Sequence, residues 1–303
     1  MPITRSQMQN ELVPGLHALF GLTYNRYPEE WPAIFEKATS TRAWEEEQKL
    51  SGFGTAPIKA ENAPIAYDTA QEAWKSRYNM ITVAMGFAIS EEAMDDNLYA
   101  SVGARYTKAM AISFQNTKET ICANVLNNGF TSGYTGGDGK VLFATDHPLV
   151  SGGTNSNKPT TGVDLSETAL ENAIIQIAAW KDERGLLINA MPKKLIIPPA
   201  NMFTAERLLK TILRTGTSDN DINALNSMSS IPEGFAVNHR LTDSNSWYLK
   251  TNVTDGLKFF TRKKIKFEQD GDFDTGNARF KASERYAAGW SDPLSCFGCP
   301  GVS

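Results

Sequence analysis

The sequence predicts an α+β fold. Three observations carry that expectation. Helix-like and strand-like stretches are interspersed without a strict strand–helix–strand rhythm. Residues 89–129 contain no proline and read as one very long helix. Residues 46–80 are too polar for a core strand pair and read as a projecting hairpin.

The long helix is expected over 90–128. Ser90 is a candidate cap, and Glu91, Glu92, Asp95 and Asp96 place negative charge at the positive end of the helix dipole. Asn127, Asn128 and Gly129 are residue types that tolerate the left-handed conformation which ends helices. Between them Met94, Leu98, Val102, Tyr106, Met110, Phe114, Thr117, Ile121 and Val125 recur every three or four residues. At 1.5 Å per residue the rod is roughly 55–60 Å long. Arg105, Lys108, Lys118 and Glu119 make it too polar to span a membrane. Small and polar stripe residues such as Ser113 and Thr117 suit a spine laid on a sheet better than a coiled coil.

Residues 1–45 read as an arm. Thr4 and Gln7 fit a capping box, and Pro14 with Gly15 interrupts that short helix. Leu16, Leu19, Phe20 and Leu22, then Tyr24, Tyr27, Trp31, Ile34 and Phe35, are too broken by Pro28 and Pro32 to form a core of their own. The arm must pack on its own subunit or on a neighbour. In the hairpin the limbs 45–53 and 68–80 flank a tip, 54–67, carrying Pro57 and Pro64. Such a loop needs outside contacts to be ordered. Residues 80–90 then alternate as a strand leading into the spine.

The rest follows in shorter pieces. Residues 131–164 are loop-rich around VLFATDHPLV. Ser166 opens a helix whose face is Leu170, Ala173, Ile174, Ile177 and Trp180, and Gly185 is expected to end it. PKKLIIPP is a buried strand, and the next helix runs towards Gly216. Strands are expected at FAVNHRL, SWYLKTN, LKFFTRKKIKFEQ and NARFKASERYAAGW, with a turn at 271–276 and a terminal loop from Ser291.

Composition excludes several classes. The chain has 303 residues, 41% hydrophobic and 21% charged, with a net charge of −4. That is an ordinary folded composition without the basic excess of a dedicated nucleic-acid binder. No signal peptide is visible, so a cytosolic site of synthesis is expected. The motifs that suggest chemistry fail on spacing. Cys296-x-x-Cys299 supplies two of the four ligands zinc wants and is followed by Pro300 and Gly301 rather than by a helix. Asp270, Asp272 and Asp274 begin like a calcium loop, but Gly276 comes one place late and Lys281 stands where the bidentate Glu belongs. Asp146 and His147 have no recognisable nucleophile, and His147 is expected to bond nearby backbone. No cofactor and no metal is implied. On a regular strand Arg262, Lys264 and Lys266 share one face. They could meet Glu45, Glu46 and Glu47 of a neighbour or a nucleic-acid backbone, or simply form a solvated edge.

The ordered set of these pieces resembles the major capsid proteins of tailed bacteriophages, the Hong Kong 97-like fold, and within it the Mu-like major head subunits. The resemblance is carried by ENAPIAYDTAQEAWKSRYNMITVAMGFAISEEAMDDN, VLFATDHPLVSGG, MPKKLIIPPANMFTAERLL, and the closing KIKFEQDGDFDTGNARFKASERYAAGWSDPLSCFG with Arg285 and Pro293. It implies an N-arm at 1–45, an extended loop at 46–80, and a peripheral domain from 81–164 and 251–303 with the spine. The axial domain would be 165–250, with its loop 216–230 near the fivefold and sixfold axes. It implies a structural protein, not an enzyme. Copies would assemble into pentamers and hexamers of an icosahedral virion shell around double-stranded DNA, in the bacterial host cytoplasm and away from membranes. A portal protein is an implied partner, and a decoration protein an optional one. No scaffolding region precedes the arm, so a separate scaffold protein is expected.

The implied inter-subunit contacts are Leu16, Phe20, Tyr27 and Trp31 of the arm, and Phe53, Ile58, Lys59 and Trp74 of the hairpin. Glu45, Glu46, Arg262 and Lys264 are further contact candidates, taken from the charge pattern and not from the resemblance. Two alternatives stay open: an encapsulin-like nanocompartment shell, and a thiol oxidoreductase using Cys296 and Cys299.

Overall fold

A computed structural model describes residues 16–90, 92, 99–214, 221–271 and 276–302. Expectations at Thr4, Gln7, Glu91, Met94, Asp95, Asp96, Leu98, Gly216, Asp272 and Asp274 lie outside the described residues.

Helix α1 covers 16–24. Then come a 3-10 turn Trp31–Ala33 and strands β1 Glu36–Thr39, β2 Trp44–Leu50, β3 Glu72–Asn79 and β4 Ile81–Ile89. Helix α2 is Tyr99–Asn127, followed by the short β5 His147–Pro148 and β6 Thr154–Asn155. Helix α3 is Glu167–Ala178, β7 is Pro192–Ile197, α4 is Met202–Lys210 and α5 is Ala224–Ser227. The closing strands are β8 Phe235–Val237, β9 Trp247–Thr251, β10 Leu257–Gly271, β11 Ala278–Trp290 and β12 Cys296–Cys299.

Two four-stranded sheets organise these elements, in the orders β1-β10-β11-β4 and β12-β9-β7-β8. The first is built on the long antiparallel β10–β11 pair, and its apolar face is covered by α2 and α1. The second packs α3 and α4 on a core that includes Leu170, Ile177, Leu195, Trp247 and Phe297. A third apolar group, with Phe143, Tyr248, Phe259 and Tyr286, lies where the two bodies meet. Among the described residues strands β2 and β3 pair only with each other, as expected of the polar hairpin.

The spine differs from its sequence reading in face and in ending. Its buried line runs through Gly103, Thr107, Ala111, Gln115, Glu119, Cys122 and Leu126, beside Met110 and Phe114. Tyr106, expected on the stripe, is 53% exposed. The buried face is rotated because small and polar side chains, not the largest ones, let the helix approach the sheet and α1 closely. The helix does not end through a left-handed residue at Asn127, Asn128 or Gly129. It unwinds through tight turns, Gly129 N–H to Leu126 O at 2.9 Å and Thr131 N–H to Asn128 O at 3.0 Å. Gly129 is needed for space, since a Cβ there would stand 2.6 Å from the Phe143 ring.

Three further boundaries are corrected. Helix α3 is capped by Ser166, whose Oγ accepts from Ala169 N–H, but it stops at Ala178. Trp180 then turns inward and donates its indole N–H to Ser156 O at 2.8 Å, while Gly185 serves a separate turn. Helix α4 ends at Lys210. The terminal loop is instead a 3-10 turn, Pro293–Ser295, and a buried strand. Strand β12 pairs with β9, so it belongs with the sheet of 192–251 and not with β10 and β11.

Candidate assembly surfaces

The arm is docked on its own subunit. Leu16, Phe20 and Tyr24 pack among Ile89, Met110, Phe114, Phe267 and Phe280. The Phe20 and Phe267 ring centroids are 5.1 Å apart. Trp31 is 5% exposed and lies 4.1 Å from the Phe259 ring. Leu16, Phe20 and Trp31 are therefore intramolecular core residues, a correction to their expected place at a subunit boundary. Tyr27 is 52% exposed and keeps an outward face.

Polar groups of α2 fix the arm's path. Glu119, buried, accepts from Glu30 N–H at 2.8 Å and Trp31 N–H at 3.0 Å, which satisfies the start of the 3-10 turn. Burial pushes its carboxyl above the usual range. Gln115 Nε2 donates to Tyr27 O at 2.8 Å. Lys118 pairs with Glu284 at 2.8 Å and touches the Tyr24 hydroxyl. Glu30 in turn accepts from His239 N–H at 2.9 Å, tying the arm to the second body.

The hairpin shows the opposite distribution. Its base is anchored by Tyr78, which is buried against Phe260 at a ring-centroid distance of 4.8 Å and bonded to Ser291 Oγ at 2.5 Å. Towards the tip Phe53, Ile65 and Tyr67 are exposed, and Ile58 is fully so. Lys59 is exposed, and Trp74 is half-buried beneath the Lys49 ammonium.

The charged candidates do not meet within the chain. Glu45 accepts from Ser40 Oγ at 2.6 Å, Glu46 lies 3.9 Å from Arg77, and Glu47 pairs with Lys258. The Arg262–Lys266 segment is interrupted by two register shifts, each an extra residue on β10 opposite β11. The bulges break the alternation that would align Arg262, Lys264 and Lys266 on one face. Arg262 is half-buried, while Lys264 is exposed.

Two other surfaces carry apolar groups. Among the described residues strand β4 ends its sheet; it has no charged residue or proline in ITVAMGFAI, and Ile81 and Met85 are exposed. Such an edge offers unpaired backbone groups to another strand. At one end of the second body Phe203, Ile212, Ile222 and Met228 are exposed.

The chemical candidates become structural. Cys122, Cys296 and Cys299 are free and buried. Burial pushes the Cys296 thiol up to about 12 and raises Cys299 as well, which removes the thiolate that exchange chemistry needs. Residues three apart on β12 also point to opposite faces. Nothing in this geometry supports the thiol oxidoreductase reading. His147 is buried, as a structural residue should be, but it bonds side chains: Asp138 Oδ2 at 2.6 Å and Asn157 Oδ1 at 3.2 Å. Asn157 donates to Leu142 O, Pro293 O and Cys296 O, stitching the 138–157 loop to β12. Among the described residues no three His, Cys, Asp or Glu side chains are grouped to hold a metal, and no helix is long and apolar enough to cross a membrane.

An arm on a spine helix, a projecting hairpin and two sheet bodies make up the Hong Kong 97-like capsid fold. A family model described as phage capsid protein matches residues 73–297, and the chain belongs to that family. It is thus a virion shell protein. The structure is similar to the capsid of Myoviridae phage XM1, with a TM-score of 0.53 and 9% identity over 88% of this chain and 89% of that one. It is similar to a virus-like particle from Pyrococcus furiosus, with a TM-score of 0.52 and 11% identity over 94% and 97%. The capsid of an empty GTA particle gives 0.52 and 12%, over 88% of each chain. No curated protein matches in sequence.

Proposed function

We propose that the chain is the major head subunit of a tailed phage, and that its copies form the pentamers and hexamers of an icosahedral shell around double-stranded DNA. The observation that carries this reading is the hairpin: a coreless element whose apolar side chains towards the tip, Phe53, Ile58, Ile65 and Tyr67, are all exposed. A subunit in isolation gains nothing from that arrangement; one that lies across a neighbour buries it. Many modest contacts of this kind sum in a closed shell. The open edge of β4 and the exposed end around Phe203, Ile212 and Met228 add two further faces for self-association.

In this reading 1–45 is the arm, 46–80 the extended loop, 81–164 with 251–290 the peripheral domain, and 165–250 with β12 the axial domain. The role is structural and uses no catalytic residue. Assembly takes place in the host cytoplasm with a separate scaffold protein, a portal and, in some settings, a decoration protein. DNA contact is non-specific, and the mildly acidic chain suits an inner wall from which DNA must be released. The match to a phage capsid protein family over 73–297 favours this over a nanocompartment shell.

Negative-stain electron microscopy and sedimentation of the chain, alone and with its neighbouring genes, test the proposal. Closed shells, or pentamers and hexamers, are expected. A monomer or dimer under every condition overturns it. Shells that retain protein cargo and no nuclease-protected DNA support the nanocompartment instead.

A further inference from the structure

One turn of the second body grips the hairpin at two places. Residues 182–186 close on themselves: Asp182 N–H donates to Leu186 O at 2.7 Å, and Asp182 Oδ1 accepts from Arg184 N–H at 2.9 Å and Leu186 N–H at 2.7 Å. Gly185 supplies the left-handed residue, at φ +85. From this turn two consecutive side chains reach out. Glu183, 3% exposed, pairs with Lys49 of β2 at 2.9 Å. Lys49 also pairs with Asp292 at 2.7 Å. Burial works against its ammonium, but the charges of Asp292 and Glu183 outweigh it and hold the group above its ordinary value. Arg184 takes the far end, with Nη2 at 2.9 and 3.0 Å from the two Asp68 oxygens. Asp68 also accepts from Gly54 N–H at 2.7 Å, closing the neck of the hairpin below its tip.

The base of the hairpin is held differently. Tyr78 lies in an apolar group with Met80, Phe260 and Ala287, and its ring stands 2.9 Å from where a Cβ on Gly289 would be. Apolar contact and the Tyr78–Ser291 hydrogen bond fix the base, and ion pairs hold the limbs beyond it. Salt does not weaken apolar burial, screens the partly exposed Arg184–Asp68 pair, and acts much less on the buried Lys49 pairs. The two halves of the hairpin therefore answer to different conditions.

We propose that the 182–186 turn is a clamp that sets the angle of the hairpin on its own subunit, with Lys49 as its pin and the Arg184–Asp68 pair as its outer catch. Opening the catch lets the tip swing about the Lys49 pin, and freeing the pin lets the hairpin swing about the Tyr78 base, while the body stays folded. A shell subunit with such a clamp can present its tip to neighbours at more than one angle. The inference deepens the shell reading above and rests on it for its biological use, but not for its test.

The test is a distance measurement on unassembled full-length subunits. Spin labels at Lys59→Cys on the tip and Asn172→Cys on α3 report the angle, and the three native thiols are buried from the reagent. The parent pair is expected to give one narrow distance at low salt. Arg184→Gln is expected to add a second, longer population at low salt, and the parent is expected to gain it at high salt. Lys49→Met is expected to shift most of the population, because it leaves Glu183 and Asp292 buried without their cation. Melting of Arg184→Gln should match the parent. A single unchanged distance for Arg184→Gln at low and high salt overturns the clamp. So does a broad distance in the parent at low salt, or broadening that tracks global unfolding. Failure here leaves the shell reading standing, and subunits that swing as expected yet never assemble overturn the shell reading alone.

Discussion

The arm and the hairpin leave the body with similar credentials and end in opposite roles. Both carry isolated aromatic residues, and both lack a core of their own. The arm finds its core in its own chain, because the spine offers it matching space and matching bonds. Leu16 seats over Gly103, and Gln115 and Glu119 meet its backbone. Beyond its Tyr78 base the hairpin finds charged partners, Glu183, Arg184, Asp292 and Lys258, and the apolar residues of its tip stay outside. Aromatic content alone therefore does not mark a contact with a neighbour. What decides is whether the receiving surface on the same chain is small, polar in the right places, and close.

The contrast can be broken by mutation. Trp31→Ala removes a buried ring against Phe259 and is expected to cost about 3–5 kcal/mol of subunit stability in urea unfolding. Wild-type stability with a loss of assembly only would return the arm to the subunit boundary. Glu119→Ala leaves one buried and one part-buried N–H group unanswered and is expected to cost about 1–3 kcal/mol. At the hairpin tip Ile58→Asp with Tyr67→Asp should change stability by no more than about 0.5 kcal/mol. The same pair is expected to abolish or sharply reduce shell formation in sedimentation. Normal shells from it would remove the tip from the interface.

Much of the fold was legible because local signals and tertiary structure agree. Ser166 caps its helix, PKKLIIPP is a buried strand between prolines, and β10 and β11 lie where alternation placed them. The errors share a cause. The spine's face was read from its largest side chains, but close packing selected Gly103, Ala111 and Cys122. The last strand was hidden by Pro293, Gly298 and Pro300, which look like a loop until β9 supplies a partner. Two bulges in β10 undid the expected basic face. The clamp had no local signature at all. Lys49 and Asp292 are 243 residues apart, and only the fold brings them to 2.7 Å.

The smallest expected effect is also the one that separates charge screening from protonation. Asp68 is held below the usual carboxylate range, first by the N–H groups of Gly54 and Thr69 and then by the Arg184 guanidinium. A carboxyl depressed in the folded state contributes its stability above its unfolded value, about 3.9, and loses it as pH falls through the folded value. The outer catch should therefore be intact at pH 7 and at pH 5, and open only in stronger acid. The tip-to-body distance is expected to be the same at those two pH values at low salt, and to lengthen at either of them when salt is raised. A tip that swings between pH 7 and pH 5 would mean that a group titrating in that window controls it. Asp68 would then be a passenger, and Arg184→Gln and mild acid should act additively rather than converge on one open state.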